Sequence, residues 1–384
     1  MNPGSPFLLP FPDAPMPSPA DLPAAAASGQ FYLQLGGAGD QEAEGLQRNL
    51  SGLAWRDDWL WVGGDEGRSL LRLERLEGQA YGRAEWLKLK PFGLAEGKEE
   101  GESDLEGLAL DGQRLWLVGS HSSRRLKASG SKEAALSLPR ESRRNAHLLG
   151  CLHLDGSGRP IAGQRLRPAR QASRDALSKV LAAEPLIAPF AAIPGKDNGL
   201  DIEGIVARGE RLLVGLRGPV LRGVALVADL RIGGINAPVD STAARCGPPL
   251  SLESHRLRYL DLDGLAVRDM AALPGSDDVL LLTGPSMSLD GPSYLYRWRE
   301  ALAPLTAQNR AGANEAITLE RPEALVCVRD GRPGRRGDGN DKPEGLEIAA
   351  DGERLLAWVA YDGPTAARRQ GEGVATRLDG FPLP

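Results

Sequence analysis

One motif recurs along this chain and constrains its fold more than any other feature. Its fullest copy is Asp104-Leu-Glu-Gly-Leu-Ala-Leu-Asp-Gly-Gln-Arg-Leu-Trp-Leu-Val-Gly119. Further copies open at Asn49-Leu-Ser-Gly-Leu, Asp201-Ile-Glu-Gly-Ile, Asp261-Leu-Asp-Gly-Leu and Lys342-Pro-Glu-Gly-Leu. Each leads through a polar turn into a second apolar run: Trp59-Leu-Trp-Val, Leu115-Trp-Leu-Val, Leu212-Leu-Val, Val279-Leu-Leu-Leu and Leu355-Leu-Ala-Trp-Val. Two apolar runs around a turn make a β-hairpin. Hairpins repeated over a whole chain bury their faces by packing around a common axis. The expectation is an all-β fold, a β-propeller of five or six blades. Five hairpins are countable, and the interval between residues 104 and 201 has room for another.

Many short strands need many turns, which accounts for the 48 glycines and 29 prolines. A formal charge of −5 speaks against nucleic acid as a partner, because phosphate binding calls for a basic surface. Cys151, Cys246 and Cys327 are far apart, odd in number and form no Cys-x-x-Cys pair, so neither a disulfide framework nor a zinc site is expected. No apolar run of about 18 residues marks a membrane span. The N-terminal segment carries Asp13 and Asp21 but none of the basic residues that begin a signal peptide. The expected compartment is the cytoplasm, with no membrane partner.

Residues 1–28, with prolines from Pro3 to Pro23, are expected to form a flexible arm, and residues 29–384 a single domain. Phe31 to Leu35 is the first strand, placed to close the ring against the C-terminal strands. Outer strands are expected at Ser69–Leu76 and Ala84–Leu89, His147–Leu154 and Pro160–Leu166, Val220–Ile232 and Arg256–Leu260, and Ser293–Trp298 and Ala316–Leu319. A basic loop spans about 124–146. The one persuasive helix covers about 171–184, with Ser173 as its cap.

The hairpin reverses direction, so the start of its first strand and the end of its second lie at one rim. The starts bring Ser51, Glu106, Glu203, Asp263 and Glu344 there. The ends bring Asp65 and Glu66, Ser120 and His121, Arg217, Ser286, and Tyr361 with Asp362. Carboxylates gathered at one mouth repel unless a cation, a proton or an arginine compensates. A hard ion with oxygen ligands, calcium before magnesium, is one answer, with Glu106, Glu203, Asp263 and Glu344 as its ligands. The other is structural: each acid accepts hydrogen bonds from the next blade's amides. Asp338-Gly-Asn-Asp341 offers oxygens at alternating positions beside Glu344, like part of a calcium loop. His121 is the candidate base, since imidazole titrates near neutrality. Arg217 is the candidate reader of an anion, with Asp65, Glu66 and Asp362 lining the same rim.

The set Ser51-Gly-Leu-Ala-Trp, Asp104-Leu-Glu-Gly-Leu-Ala, Asp201-Ile-Glu-Gly-Ile, Gly215-Leu-Arg-Gly-Pro-Val-Leu-Arg-Gly223 and Lys342-Pro-Glu-Gly-Leu-Glu resembles the bacterial domain of unknown function family 3616 over about residues 45–380. That resemblance implies a propeller-like fold and supplies no activity. More distantly, the Glu-Gly-Leu hairpins are similar to those of phytase-like and lactonase-like propellers. There the likeness implies calcium held by rim acids, at Glu106, Glu203 and Glu344 here, with Ser51 and Asp263 departing from glutamate.

Two functional readings follow. The first is a non-catalytic binding or scaffold protein with an acidic, cation-binding funnel and a small anionic ligand or a protein as partner. The alternative is a metal-dependent hydrolase of a phosphoester or lactone, in which an unliganded acid activates water.

Overall fold

The computed structural model describes residues 19, 22–56, 58–65, 69–95, 104–125, 140–142, 146–166, 176–239, 245–287, 290–304, 317–331, 340–352, 354–369, 371 and 373–383. Each hairpin becomes the two inner strands of a four-stranded antiparallel blade. Blade 1 runs outward as Leu50–Arg56, Trp59–Gly64, Ser69–Arg75 and Ala80–Lys88. Blade 2 is Leu105–Asp111, Arg114–Gly119, Leu149–Leu154 and Pro160–Arg165, and blade 3 is Asp201–Arg208, Arg211–Gly218, Val224–Gly233 and Ser251–Asp261. Blade 4 is Ala266–Ala272, Val279–Gly284, Pro292–Trp298 and Glu323–Asp330. Blade 5 uses Lys342–Asp351, Arg354–Asp362 and Val374–Pro382, and takes its outer strand, Gly29–Gly36, from the other end of the chain. Phe31 lies opposite Leu378 in that antiparallel pair, so the expected closure by the first strand is what forms.

The hydrophobic core is divided among the gaps between blades. Separate clusters fill the junctions of blades 1 and 2, 2 and 3, 3 and 4, 4 and 5, and 5 and 1. The set closes on itself, which makes the fold a β-propeller. Both faces of every blade are therefore buried, and the inner strands read as continuous apolar runs for that reason. At the closing junction Phe31 packs its ring 4.3 Å from Trp358, 5.1 Å from Trp55 and 5.5 Å from Tyr81.

Near the axis the backbones approach closely, which is why the motif carries glycine. A Cβ on Gly107 would stand 3.1 Å from the Glu203 carbonyl oxygen of the next inner strand, and one on Gly345 would stand 3.2 Å from that of Ser51. Gly52 and Gly204 face Leu108 and Asp269 in the same way. Gly107→Ala is therefore expected to cost about 1–3 kcal/mol by overpacking, read as a lower urea midpoint at unchanged m-value. An unchanged midpoint would show that the inner strands have room to part.

Each blade's outer edge is latched by a segment that belongs elsewhere in the chain. Tyr32 and Leu33 pair in parallel with Ala80 and Tyr81 of blade 1. Leu319–Glu320 pairs in parallel with Tyr259–Leu260 of blade 3. Cys246 and Leu250 bridge to Gly163 and Leu166 of blade 2, and Ala24 bridges to Cys327 of blade 4. The described end of the N-terminal arm is thus tied down, with Ala25 N donating to the Cys327 carbonyl and Ser28 N to that of Gly380; residues 1–18, 20 and 21 lie outside the described residues. The strand expected at Ala316–Leu319 is in fact this latch, and the outer strand of blade 4 is Glu323–Asp330.

Helix α1, Gln41–Arg48, was not foreseen. Only Ala43 and Leu46 give it an apolar stripe, and its start is set by Asp40, which accepts from the Glu42 and Ala43 amides at 3.1 Å. Helix α2, Ala176–Ala183, lies where a helix was expected; its proposed cap Ser173 lies outside the described residues. Most of the basic loop does too. Among the described residues no helix is long and apolar enough to cross a membrane.

Candidate functional site

All inner strands carry the same irregularity at the same height. Their pairing register slips between Leu50 and Gly52, Leu105 and Gly107, Ile202 and Gly204, Val267 and Asp269, and Pro343 and Gly345. The residue skipped each time is a β-bulge, which re-aims its side chain. The skipped residues are Ser51, Glu106, Glu203, Arg268 and Glu344, and they define the mouth of the axis.

The fourth copy of the motif is therefore not Asp261-Leu-Asp-Gly-Leu but Val267-Arg-Asp-Met-Ala. Asp263 sits exposed in the preceding turn and accepts from Tyr296 Oη of the third strand at 3.2 Å. Gly264 beside it has φ of 84° and meets no inner strand. The corrected position holds arginine where blades 2, 3 and 5 hold glutamate and blade 1 holds serine, and aspartate where the others hold glycine. Asp269 is fully buried and accepts from the Leu346 amide of blade 5 at 2.6 Å and from Met270 N at 2.8 Å. Burial lifts its pKa well above the usual range despite those donors.

One side of the mouth is laced by two arginines. Arg217 pairs with Asp201 and with Glu203 Oε1 at 2.5 Å. Arg268 Nε lies 3.0 Å from Glu203 Oε2, an ion pair without hydrogen-bond alignment, and its Nη2 reaches Glu344. The chain Asp201–Arg217–Glu203–Arg268–Glu344 thus spans blades 3, 4 and 5. Burial raises Glu203 to about 7 even against both guanidinium groups, and it raises Asp201 as well. The surrounding carboxylates outweigh burial at Arg217 and hold it charged. Its fork is spent on Asp201 and Glu203, so it is a tie between strands and not an open anion reader.

The other side carries acids that, among the described residues, form no direct ion pair with an arginine, although Arg268 acts on Asp362 and both arginines act on Glu106 from farther off. Burial raises Glu106 well above the carboxylate range, reinforced by Asp104, Glu203, Asp65 and Asp201. Among the described residues no basic group forms an ion pair with it. Asp65 follows the second strand of blade 1; burial, Glu344, Asp362 and Asp104 push it up to about 8, and its Oδ1 has no hydrogen-bond partner. Asp362, at the end of the second strand of blade 5, is pushed to about 6 by burial and Glu344, with Lys342 Nζ at 3.7 Å. Lys196, exposed on the turn Gly195–Asp197, offsets Asp65, Asp201 and Asp362 from above. That turn is pinned to the rim by Arg125–Asp197 at 3.0 Å and by Val220 N donating to Asn198 Oδ1 at 2.9 Å.

The remaining sequence candidates stand elsewhere. His121 has φ of 54° and is only 3% exposed. Its Nδ1 donates to the Gly119 carbonyl at 2.8 Å, and its ring meets His147 edge-on, beneath α2, where His147 Nδ1 lies 2.8 Å from Ser178 Oγ. It is part of a buried packing group and does not open onto the mouth. Asp341 is committed to Thr365 N at 2.7 Å and to Arg368 Nε at 3.1 Å. Glu66 and Asp338 lie outside the described residues. Among the described residues no three His, Cys, Asp or Glu side chains converge as a metal cage. Elsewhere an acid does accept an amide of the neighbouring blade, Glu347 from Trp55 N at 3.1 Å across blades 5 and 1, whereas Ser51, a hydroxyl, donates to the Leu105 carbonyl of blade 2.

No curated protein is similar to the chain. Among solved structures, Myxococcus xanthus glutaminyl cyclase shares 10% identity over 93% of this chain and 97% of its own, with a TM-score of 0.38. The PQQ-bound aldose sugar dehydrogenase from Streptomyces coelicolor shares 13% over 93% and 100%, at 0.34. The β-propeller domain of Myceliophteria thermophila Cps50 (Swd1) shares 11% over 88% and 96%, at 0.31. Likeness at this level assigns no activity. A family described as "Protein of unknown function (DUF3616)" matches residues 49–377, which is most of the chain, and the protein belongs to it.

Proposed function

We propose that this propeller is a binding protein whose acidic mouth takes a positively charged ligand. The observation that carries the reading is the uneven pairing of charge: Arg217 and Arg268 form ion pairs with Asp201, Glu203 and Glu344, while among the described residues Asp65 and Glu106 form none and Asp362 has only Lys342 at 3.7 Å. A cation arriving there would find half-buried carboxyls that ionise to meet it. The acids are spread around the mouth and not gathered on one point. This spacing suits an extended, multiply charged organic cation better than a bare calcium ion, and the arginine ties leave little for an anion. The hydrolytic alternative loses His121 as a base, because that ring is buried and occupied, and is left with a rim acid to activate water.

Thermal melts at pH 8 with spermidine, with calcium chloride and with sodium chloride at matched ionic strength test this reading. A ligand selective for the folded state adds ~2.7 kcal/mol at a hundredfold excess over its dissociation constant. Spermidine is expected to raise the melting temperature beyond the sodium control, and Glu106→Gln with Asp362→Asn to shrink the gain. A larger gain with calcium would restore the metal reading. Melts that superimpose in all three salts would refute cation binding.

A further inference from the structure

The latch on blade 3 is gripped by a side chain as well as by its backbone. The outer strand Ser251–Asp261 has 11 residues, and Leu319–Glu320 pairs with only two of them, Tyr259 and Leu260. So short a ladder holds weakly, and the grip comes from Glu320. Opposite Leu260, it lies diagonal to Arg258 on the same face of the sheet. Arg258 Nε donates to Glu320 Oε1 at 2.7 Å and its Nη2 to Oε2, while Trp298 Nε1 of blade 4 donates to Oε2 at 2.8 Å. Arg258 Cζ lies 4.1 Å from the centroid of the Trp298 ring, and its Nη1 is fixed by the Ala301 carbonyl at 2.6 Å. The Arg258 side chain is 11% exposed and Trp298 2%, whereas Ile317, just before the latch, is 42% exposed.

We propose that this edge of blade 3 is a docking groove for an extended acidic peptide of a partner protein, which the chain's own latch fills in cis. The clamp suits a carboxylate on an incoming strand: a planar fork meets both oxygens, and an indole N–H fixes the second one. Charge selects the same ligand. Arg211 and Arg256 share Asp229 at 2.8 Å each, and Arg211 Nη2 reaches, at 3.1 Å, the Ala301 carbonyl that Arg258 also holds. Among the described residues, loss of Glu320 would leave these three guanidinium groups around one carboxylate. A buried guanidinium without its partner is costly, so a strand that displaces the latch must bring an acid of its own. Length favours the newcomer. On this side residues 251–258 have no strand partner among the described residues. A parallel peptide that continues N-terminal to its glutamate runs alongside them, and each further main-chain pair adds affinity that the latch lacks. The groove lies on the outer edge of the blade, away from the axis, and does not rest on the cation reading of the mouth.

The probe is a fluorescent peptide amide, Thr-Val-Thr-Ser-Ile-Thr-Leu-Glu, whose second half copies residues 317–320, with binding read by anisotropy. It is expected to bind Glu320→Ala, whose clamp is vacated, at least about tenfold more tightly than wild type, in which the tethered glutamate competes. The same peptide ending in Gln is expected to lose that affinity, and so is Glu320→Ala combined with Arg258→Lys, which lacks the fork. No binding to Glu320→Ala, equal affinity for both proteins, or equal affinity for the Glu- and Gln-ended peptides would overturn the groove. Displacement of the probe by inorganic phosphate as readily as by unlabelled peptide would also overturn it, leaving a bare anion site. Should Glu320→Ala fail to fold, hydrogen exchange on wild type decides. Excess unlabelled peptide is expected to deprotect residues 317–323 and to leave 251–261 protected, and unchanged protection at 317–323 would refute the exchange.

Discussion

Replacing Arg268 with methionine is expected to destabilise the protein by about 3–5 kcal/mol, the cost of leaving buried charges without their partner. Arg268 is 8% exposed in its side chain and stands between Glu203 and Glu344, which are 4% and 13% exposed. Methionine fills the volume but strands both carboxyls, and Glu203 keeps only Arg217. Lysine at this position keeps the charge without the fork that spans two acids, so Arg268→Lys is expected to fall between methionine and wild type. A triple variant that adds Glu203→Gln and Glu344→Gln should recover much of the loss, because the stranded charges are gone. Urea denaturation of the set measures each step. Should the methionine variant match wild type in urea, Arg268 would be only a neighbour of the acids and not what ties blades 3, 4 and 5 at the mouth.

The second large effect is expected at the closing strand. Phe31 is 1% exposed and meets Trp55, Tyr81 and Trp358. Phe31→Ala removes the ring that joins the strand from one chain end to the blades at both ends, at a cost of about 3–5 kcal/mol. Tyr32, next along and 37% exposed, serves as control, with Tyr32→Ala expected within about 0.5 kcal/mol of wild type. Hydrogen exchange should show the loss first at Val374–Pro382, whose amides depend on this pairing. A similar penalty at both positions would mean that the strand contributes through its backbone and not through the aromatic cluster.

The architecture was legible because its signal is redundant: five similar hairpins carry the repeat even when one is misaligned. The misalignment itself has a physical cause. Asp261-Leu-Asp-Gly-Leu imitates the motif in letters, but its glycine serves a turn with positive φ and not a close approach of strands. Spacing held the missing clue, since Asp263 stands farther from Val279 than Glu106 does from Leu115 or Glu203 from Leu212. Arg268 was invisible for the same reason that it matters, because it breaks the chemical pattern while keeping the bulge. Glu106, Glu203 and Glu344 occupy the bulges of their inner strands, but the arginines that pair with Glu203 and Glu344 could not be read from the sequence, since an ion pair between strands far apart in sequence leaves no local trace. His121 is not an open base because it is buried against His147, which α2 in turn engages through Ser178.

The latches at the blade edges have a genetic consequence. Each outer edge is covered by a stretch of chain encoded with another blade, so a lesion and its symptom lie in different places. A deletion around Leu319–Glu320 would leave blade 4 its own four strands and expose the rim of blade 3. Truncation past Ala24 would bare blade 4, although the lost residues come from the far end of the chain. Unpaired edges invite foreign strands. Aggregation in such variants would therefore begin at a surface whose own sequence is intact, and second-site suppressors should map to the neighbour that lost its cover.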